Sequence, residues 1–200
     1  MSTADFASLV DSVIEITKRG ERKKQIQLAI AKATLKFHLV DFWQRDLIEK
    51  DVVVDDSDKP IYHIDVGDKM KGFRKLAYMN AWDPTGRAVL FEFTEISPMR
   101  PRTDYGYLKQ EGYYLAGGIL NIRSVRNFTH VLAGWYTTPS VNLNEYDSWV
   151  AKMYSPAIID EACAEIFGSI GDNDEAARRG KMFPENLRLI RINEIEATAR

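Results

Sequence analysis

Gly112-Tyr113-Tyr114-Leu115-Ala116-Gly117-Gly118-Ile119-Leu120-Asn121-Ile122-Arg123 reads as a β-hairpin. Tyr113 and Leu115 lead into the turn Ala116-Gly117-Gly118, and Leu120 and Ile122 lead out. A glycine pair between alternating apolar residues is a strong hairpin signal, because the favoured two-residue turns need positive φ. The same grammar extends on both sides. Phe73 to Trp82 alternates, Asp83-Pro84-Thr85-Gly86 turns, and Val89, Phe91 and Phe93 alternate again. Val52-Val53-Val54, Ile61 to Val66 and Phe128 to Thr137 predict further strands. Asp55-Asp56-Ser57-Asp58 reads as a turn, and Ser97-Pro98-Met99-Arg100-Pro101-Arg102 as irregular chain.

Outside this middle the period changes. Phe6, Leu9, Val10, Val13 and Ile16 sit at helical spacing. A basic cluster, Lys18, Arg19, Arg22, Lys23 and Lys24, follows around Gly20 and Glu21. The next helix runs to about Leu47 and is apolar on two sides. One stripe holds Ile26, Ala29, Ile30, Ala33, Phe37 and Val40; the other holds Leu28, Leu35, Leu39 and Phe42. A helix apolar on two sides is covered on two sides, by its own chain or by a neighbouring subunit.

Beyond the strands, helix-start patterns recur at Asn142 with Glu145, at Ser155-Pro156, and at Asp172 with Glu175. Ile158, Ile159, Ala162, Cys163, Ile166 and Phe167 mark a buried helical face. Phe183-Pro184 interrupts any continuing helix. The segment that follows, with Leu187, Leu189, Ile190, Ile192 and Ile195, reads either as a last helix on the body or as a docking arm.

The predicted class is therefore α+β, an antiparallel helix bundle with an inserted antiparallel β module and a C-terminal arm. Residues 1–50 would be the first helices and 51–140 the β module. The later helices would span 141–181, and the arm 182–200.

The chain has 200 residues, 45% of them hydrophobic and 28% charged, with a net charge of −2. That suits one domain or a domain with a subdomain, and excludes a global basic field for nucleic acid. The one cysteine, Cys163, sits in an apolar helical run and reads as core. The start of the chain has no leader pattern, and no stretch reads as a membrane span, which predicts a soluble, unprocessed protein made in the cytosol.

His38, His63 and His130 share no metal-ligand spacing. Asp55, Asp56 and Asp58 lack the glycine and distal glutamate of a calcium loop. Gly112, Gly117 and Gly118 do not form a phosphate-binding loop, and no serine sits in a nucleophile-elbow pattern. No catalytic residue, metal or cofactor is expected. The alternative enzyme reading is a cell-wall hydrolase using paired carboxylates. The aromatics Tyr105, Tyr107, Tyr113, Tyr114, Trp135, Tyr136, Tyr146 and Trp149 suit an interface or a filled core equally.

The order of parts resembles the head-to-tail adaptor (connector) proteins of tailed bacteriophages, especially the tail tubular adaptor of short-tailed phages. The residues that carry the resemblance are the long helix from Gln25-Ile26-Gln27-Leu28-Ala29-Ile30-Ala31 to Trp43 and the strand pair around Gly112–Leu120. With them goes the passage from Trp135-Tyr136-Thr137-Thr138-Pro139 into Tyr154-Ser155-Pro156-Ala157-Ile158-Ile159-Asp160-Glu161-Ala162. The resemblance covers most of the chain and rests on loose motifs.

It implies a virion protein of the head–tail junction, assembled in the host cytoplasm. Its copies would form a ring of about twelve, closed by one repeated interface. The ring would sit between the portal protein and the tail nozzle or tail tube, and DNA would pass through the lumen without specific binding; no membrane is involved. Lateral packing would use Ile26, Ile30, Phe37, Phe42 and Trp43. Portal docking would use Phe183, Leu187, Arg188, Leu189, Ile190, Arg191 and Ile192. A tail terminator is the rival virion role.

Overall fold

The structure, a computed structural model, describes residues 5–54, 61–96 and 111–198. The turn at 55–58, the stretch 97–102, and Tyr105 and Tyr107 lie outside them. The chain is α+β and divides into two compact units, Met1–Asp46 with Thr138–Arg200, and Leu47–Thr137. Among the described residues no helix is long and apolar enough to cross a membrane.

The first unit is helical. Helix α1 (Phe6–Thr17) starts where the Asp5 carboxylate accepts from the Ser8 backbone N–H at 2.8 Å. This satisfies one of the orphan donors of the first turn. It stops where Lys18 takes a left-handed φ of 55°. Helix α2 (Lys23–Leu39) has no side-chain cap and rests on alanines and unbranched residues, which form helix readily. It ends well before Leu47, the limit expected for it.

Helix α4 (Trp149–Met153) is preceded by Ser148, and α5 (Ser155–Ser169) carries Pro156 in its first turn. The short helix that precedes these in chain order, α3 (Val66–Lys69), belongs to the other unit. Helix α6 (Asn173–Gly180) begins under the Asp172 side chain, which accepts from Glu175 N–H at 3.2 Å. Helix α7 (Met182–Thr198) tolerates Pro184 because the first turn needs no amide donor there. Helix α5 packs against α1, α2, α6 and α7. One apolar core joins Leu9, Val13, Ile30, Phe37, Ile158 and Ile166. Tyr146 and Trp149 pack against this core.

Two helix starts differ from expectation. Asn142 and Glu145 form a turn, closed by Glu145 N–H to the Asn142 carbonyl at 3.1 Å. Ser155 lies inside α5 and makes no capping hydrogen bond, because Tyr154 occupies the cap position. The expected arm at 182–200 is also corrected: Met182–Thr198 is helix, and Leu187 and Ile190 are buried in the core of the unit.

The second unit holds two four-stranded sheets around one core. The first has the order β1 (Leu47–Val53), β8 (His130–Thr137), β3 (Phe73–Asp83), β4 (Ala88–Glu92). The second has the order β2 (Ile61–Asp65), β7 (Ile119–Arg123), β6 (Gly112–Ala116), β5 (Thr94–Glu95). All pairs are antiparallel except β5 with β6, which is parallel, so the module is not purely antiparallel. Leu47 pairs with Tyr136, so the two ends of the module are neighbouring strand residues, as an insertion requires. Gly117 and Gly118 have φ of 59° and 80°, the two positive values of the tight hairpin turn. Inward residues Met79, Ala81, Ile122, Val131 and Trp135 fill the core.

On the outer face of the first sheet the Tyr78 ring lies across Gly134 of β8, and its hydroxyl bonds to Glu49 of β1. Burial, and then the carboxylate, push the phenol up to about 12. A Cβ on Gly134 would meet Tyr78 Cε1 at 2.4 Å. Gly134→Ala is therefore expected to cost about 1–3 kcal/mol of overpacking. Thermal unfolding of that variant beside Gly134→Ala/Tyr78→Ala tests it, because removing the ring should restore most of the loss.

Candidate functional site

The helical unit contains two arrangements with functional potential. The first is a buried polar chain. His38, near the end of α2, directs Nδ1 at the Asp46 carboxylate, at 2.9 and 3.0 Å from its two oxygens. Its Nε2 lies 2.9 Å from Ser148 Oγ. Trp149 Nε1–H donates to Asp46 at 2.7 Å. A carboxylate only accepts, so Nδ1 carries the proton, and the serine O–H can donate to Nε2.

Serine, histidine and aspartate stand here in the order and at the distances of a nucleophilic triad. The surroundings give them another role. Ser148 is 2% exposed. Its Oγ already accepts the Ala151 N–H at 3.1 Å as the cap of α4. A nucleophile needs an approach for a carbonyl and donors for the oxyanion. Among the described residues, one surface groove is lined by 41–44 with 191, 194 and 195, and another by 82–84, 90 and 127–129. Ser148 lines neither of them. The cluster is a strut that ties the end of α2 to the turn at Gln44–Asp46 and to the start of α4.

The second arrangement is apolar and faces out. At about 3.6 residues per turn, Leu28, Leu35 and Leu39 fall on the side of α2 opposite Ile26, Ile30 and Phe37. Leu28 is 56% exposed, Leu39 is about half exposed, and Leu35 is half-buried. Lys32 and Lys36, between the two faces, pair with Glu165 and Glu161 of α5. Helix α7 repeats this plan. Leu187 and Ile190 turn inward, and Phe183 packs on Phe37 with ring centroids 4.8 Å apart. Leu189, Ile192 and Ile195 turn outward.

The expected interface set is thus divided. Ile26, Ile30, Phe37 and Trp43 are enclosed by their own subunit and offer no surface to a neighbour. Trp43 is held by its own Nε1–H, which donates to the Phe37 carbonyl at 2.8 Å. Only Phe42 of that set, 42% exposed, stays outside. Of the expected portal-docking set, Phe183, Leu187 and Ile190 serve the core. Arg188, Leu189 and Ile192 remain outside, and Arg191 pairs with Asp41 at 3.0 Å.

Beside that pair a groove of about 250 Å3 is lined by Phe42, Trp43, Glu194 and Ile195. Glu194 is buried and accepts from Arg45 Nε at 2.6 Å. Both stripes of α2 are legible in the sequence, and four of the five residues expected at a subunit contact are buried within the unit. The denser stripe, with apolar residues at nearly every core-facing position, is the one that its own unit buries.

Among the described residues no group of three or more His, Cys, Asp or Glu could hold a metal ion. Cys163 is buried, and burial pushes its thiol up to about 11, so it is a core residue and not a nucleophile. No protein-family model matches the chain, and a search of curated proteins finds no match.

Proposed function

We propose that this chain is a structural virion protein, a head-to-tail adaptor whose copies assemble into a ring between the portal and the tail. The observation that carries the reading is the outer face of α2. Its Leu28, Leu35 and Leu39 form an apolar row on the side away from the core, where an isolated soluble helix places polar residues. A row of that kind is what a repeated subunit contact would cover.

Two further features agree with it. The β module is inserted between the helices of one unit through adjacent ends, a separate compact unit suited to meeting a second component. The net charge of −2 suits a lumen that lets DNA slide, since affinity for the phosphate backbone comes from neutralising it. The portal and the tail nozzle are the axial partners of the ring, and the genome is its transient content.

Electron microscopy of the purified chain, alone and with its portal protein, tests the proposal. Closed rings are expected, at least when portal is present. A chain that stays monomeric by mass in both conditions and forms no ring overturns it.

A further inference from the structure

We infer that the ring contact is a parallel helix pair, in which the outer row of α7 on one copy lies along the outer row of α2 on the next. This inference rests on the ring reading and names its partner surfaces. On α2 the outer row begins Lys24, Leu28, Ala31, Leu35. On α7 it begins Glu185, Leu189, Ile192. Both rows advance by four residues and then three, the spacing of a helix–helix seam. Set in register and parallel, they place Lys24 against Glu185, Leu28 against Leu189, and Ala31 against Ile192.

The charges fit this pairing and no reversed one. Helix α2 carries lysines and no acid, with Lys24 exposed at its start. Glu185 is exposed at the start of α7. Among the described residues neither Lys24 nor Glu185 has an ion-pair partner within its own chain, whereas Lys32, Lys36 and Arg191 do. In an antiparallel arrangement the two charged ends would separate. Lys32, Lys36 and Arg191, beside the apolar residues, are already paired within the subunit.

The contact joins two different surfaces, so it is heterologous and propagates from copy to copy, as a ring requires. Each row alone is smaller than the roughly 800 Å2 per partner that a stable pair buries. Single contacts are accordingly weak, and closure completes them.

Within one copy the two rows do not meet at these positions. Leu189 lies two residues before Arg191, which pairs with Asp41, and Leu28 is roughly 15–20 Å back along α2. A disulfide between positions 28 and 189 therefore forms only between copies. Both sites are exposed, so replacing them leaves the core intact, and the native Cys163 is buried.

The test is oxidation of the full chain carrying L28C and L189C, with and without portal, read on a non-reducing gel. A ladder of covalent oligomers is expected, and none from either single cysteine variant. Adding K24E or E185K should weaken the ladder about tenfold, and adding both should restore it.

Absence of a ladder while rings are visible by microscopy overturns the seam and leaves the ring reading standing. Absence of both overturns the two together. A ladder indifferent to charge reversal overturns the parallel register. Loss of portal binding by E185K with the ladder intact assigns Glu185 to the portal and overturns its pairing with Lys24.

Discussion

Asp46→Ala is expected to lower the stability of the helical unit by about 1–3 kcal/mol for each of the two donors that lose their acceptor. The carboxylate receives Nδ1–H of the buried His38 and Nε1–H of the half-buried Trp149. Alanine takes this acceptor from both donors and opens a polar hole beside the T-shaped contact of Trp149 with Trp43. His38→Ala should cost less, since it removes the donor along with its bond. Ser148→Ala should cost about 1 kcal/mol, the usual value of a helix cap. Urea unfolding followed by tryptophan fluorescence reads the series, with the midpoint shifting and the slope unchanged.

A loss below about 1 kcal/mol for Asp46→Ala would show that the cluster is not the strut described here. A serine-directed fluorophosphonate separates the strut from a triad. The native chain should stay unlabelled, because the serine that would react is walled in and occupied as a cap.

The cluster also marks where the sequence stops being readable. Hairpin grammar is local, so Gly117-Gly118 with positive φ at both positions could be read from a few residues. The Asp172 cap was equally local, since the acceptor and the amide it serves lie three residues apart. The start of α4 was not. Ser148 has Ala151, not glutamate, at the position that completes a capping box, whereas Asn142 with Glu145 has the pattern and forms only a turn.

His38 is joined to Ser148 across more than half of the chain, and neither residue type announces the other. The tail misled for a similar reason. Its inward face is Phe183, Leu187, Ile190 and then Glu194, so a buried glutamate breaks the apolar period just where Arg45 satisfies it. That break, with Phe183-Pro184 at the start and apolar residues on both faces, left a packed helix and an arm as equal readings of the sequence. Polar residues that are buried with distant partners are the ones that periodicity misassigns.

Phe37→Ala and Leu28→Ala should separate the two faces of α2 by an order of magnitude in the folding equilibrium or more. Phe37 is fully enclosed, with the Phe183 ring against it and the Trp43 indole hydrogen-bonded to its carbonyl. Truncation removes an aromatic side chain from a packed site where α2 and α7 meet, and should cost about 3–5 kcal/mol. Leu28 lies in solvent in the single subunit, so its truncation should fall within about 0.5 kcal/mol of zero. The assembled state reverses the ranking. Leu28→Ala should fold normally and fail to build rings, whereas any Phe37→Ala chain that folds keeps the whole outer row and should still assemble. Urea midpoints and particle counts on the same two proteins read both effects. If Leu28→Ala unfolded early and assembled normally, the outer row of α2 would be part of the fold and not of the ring.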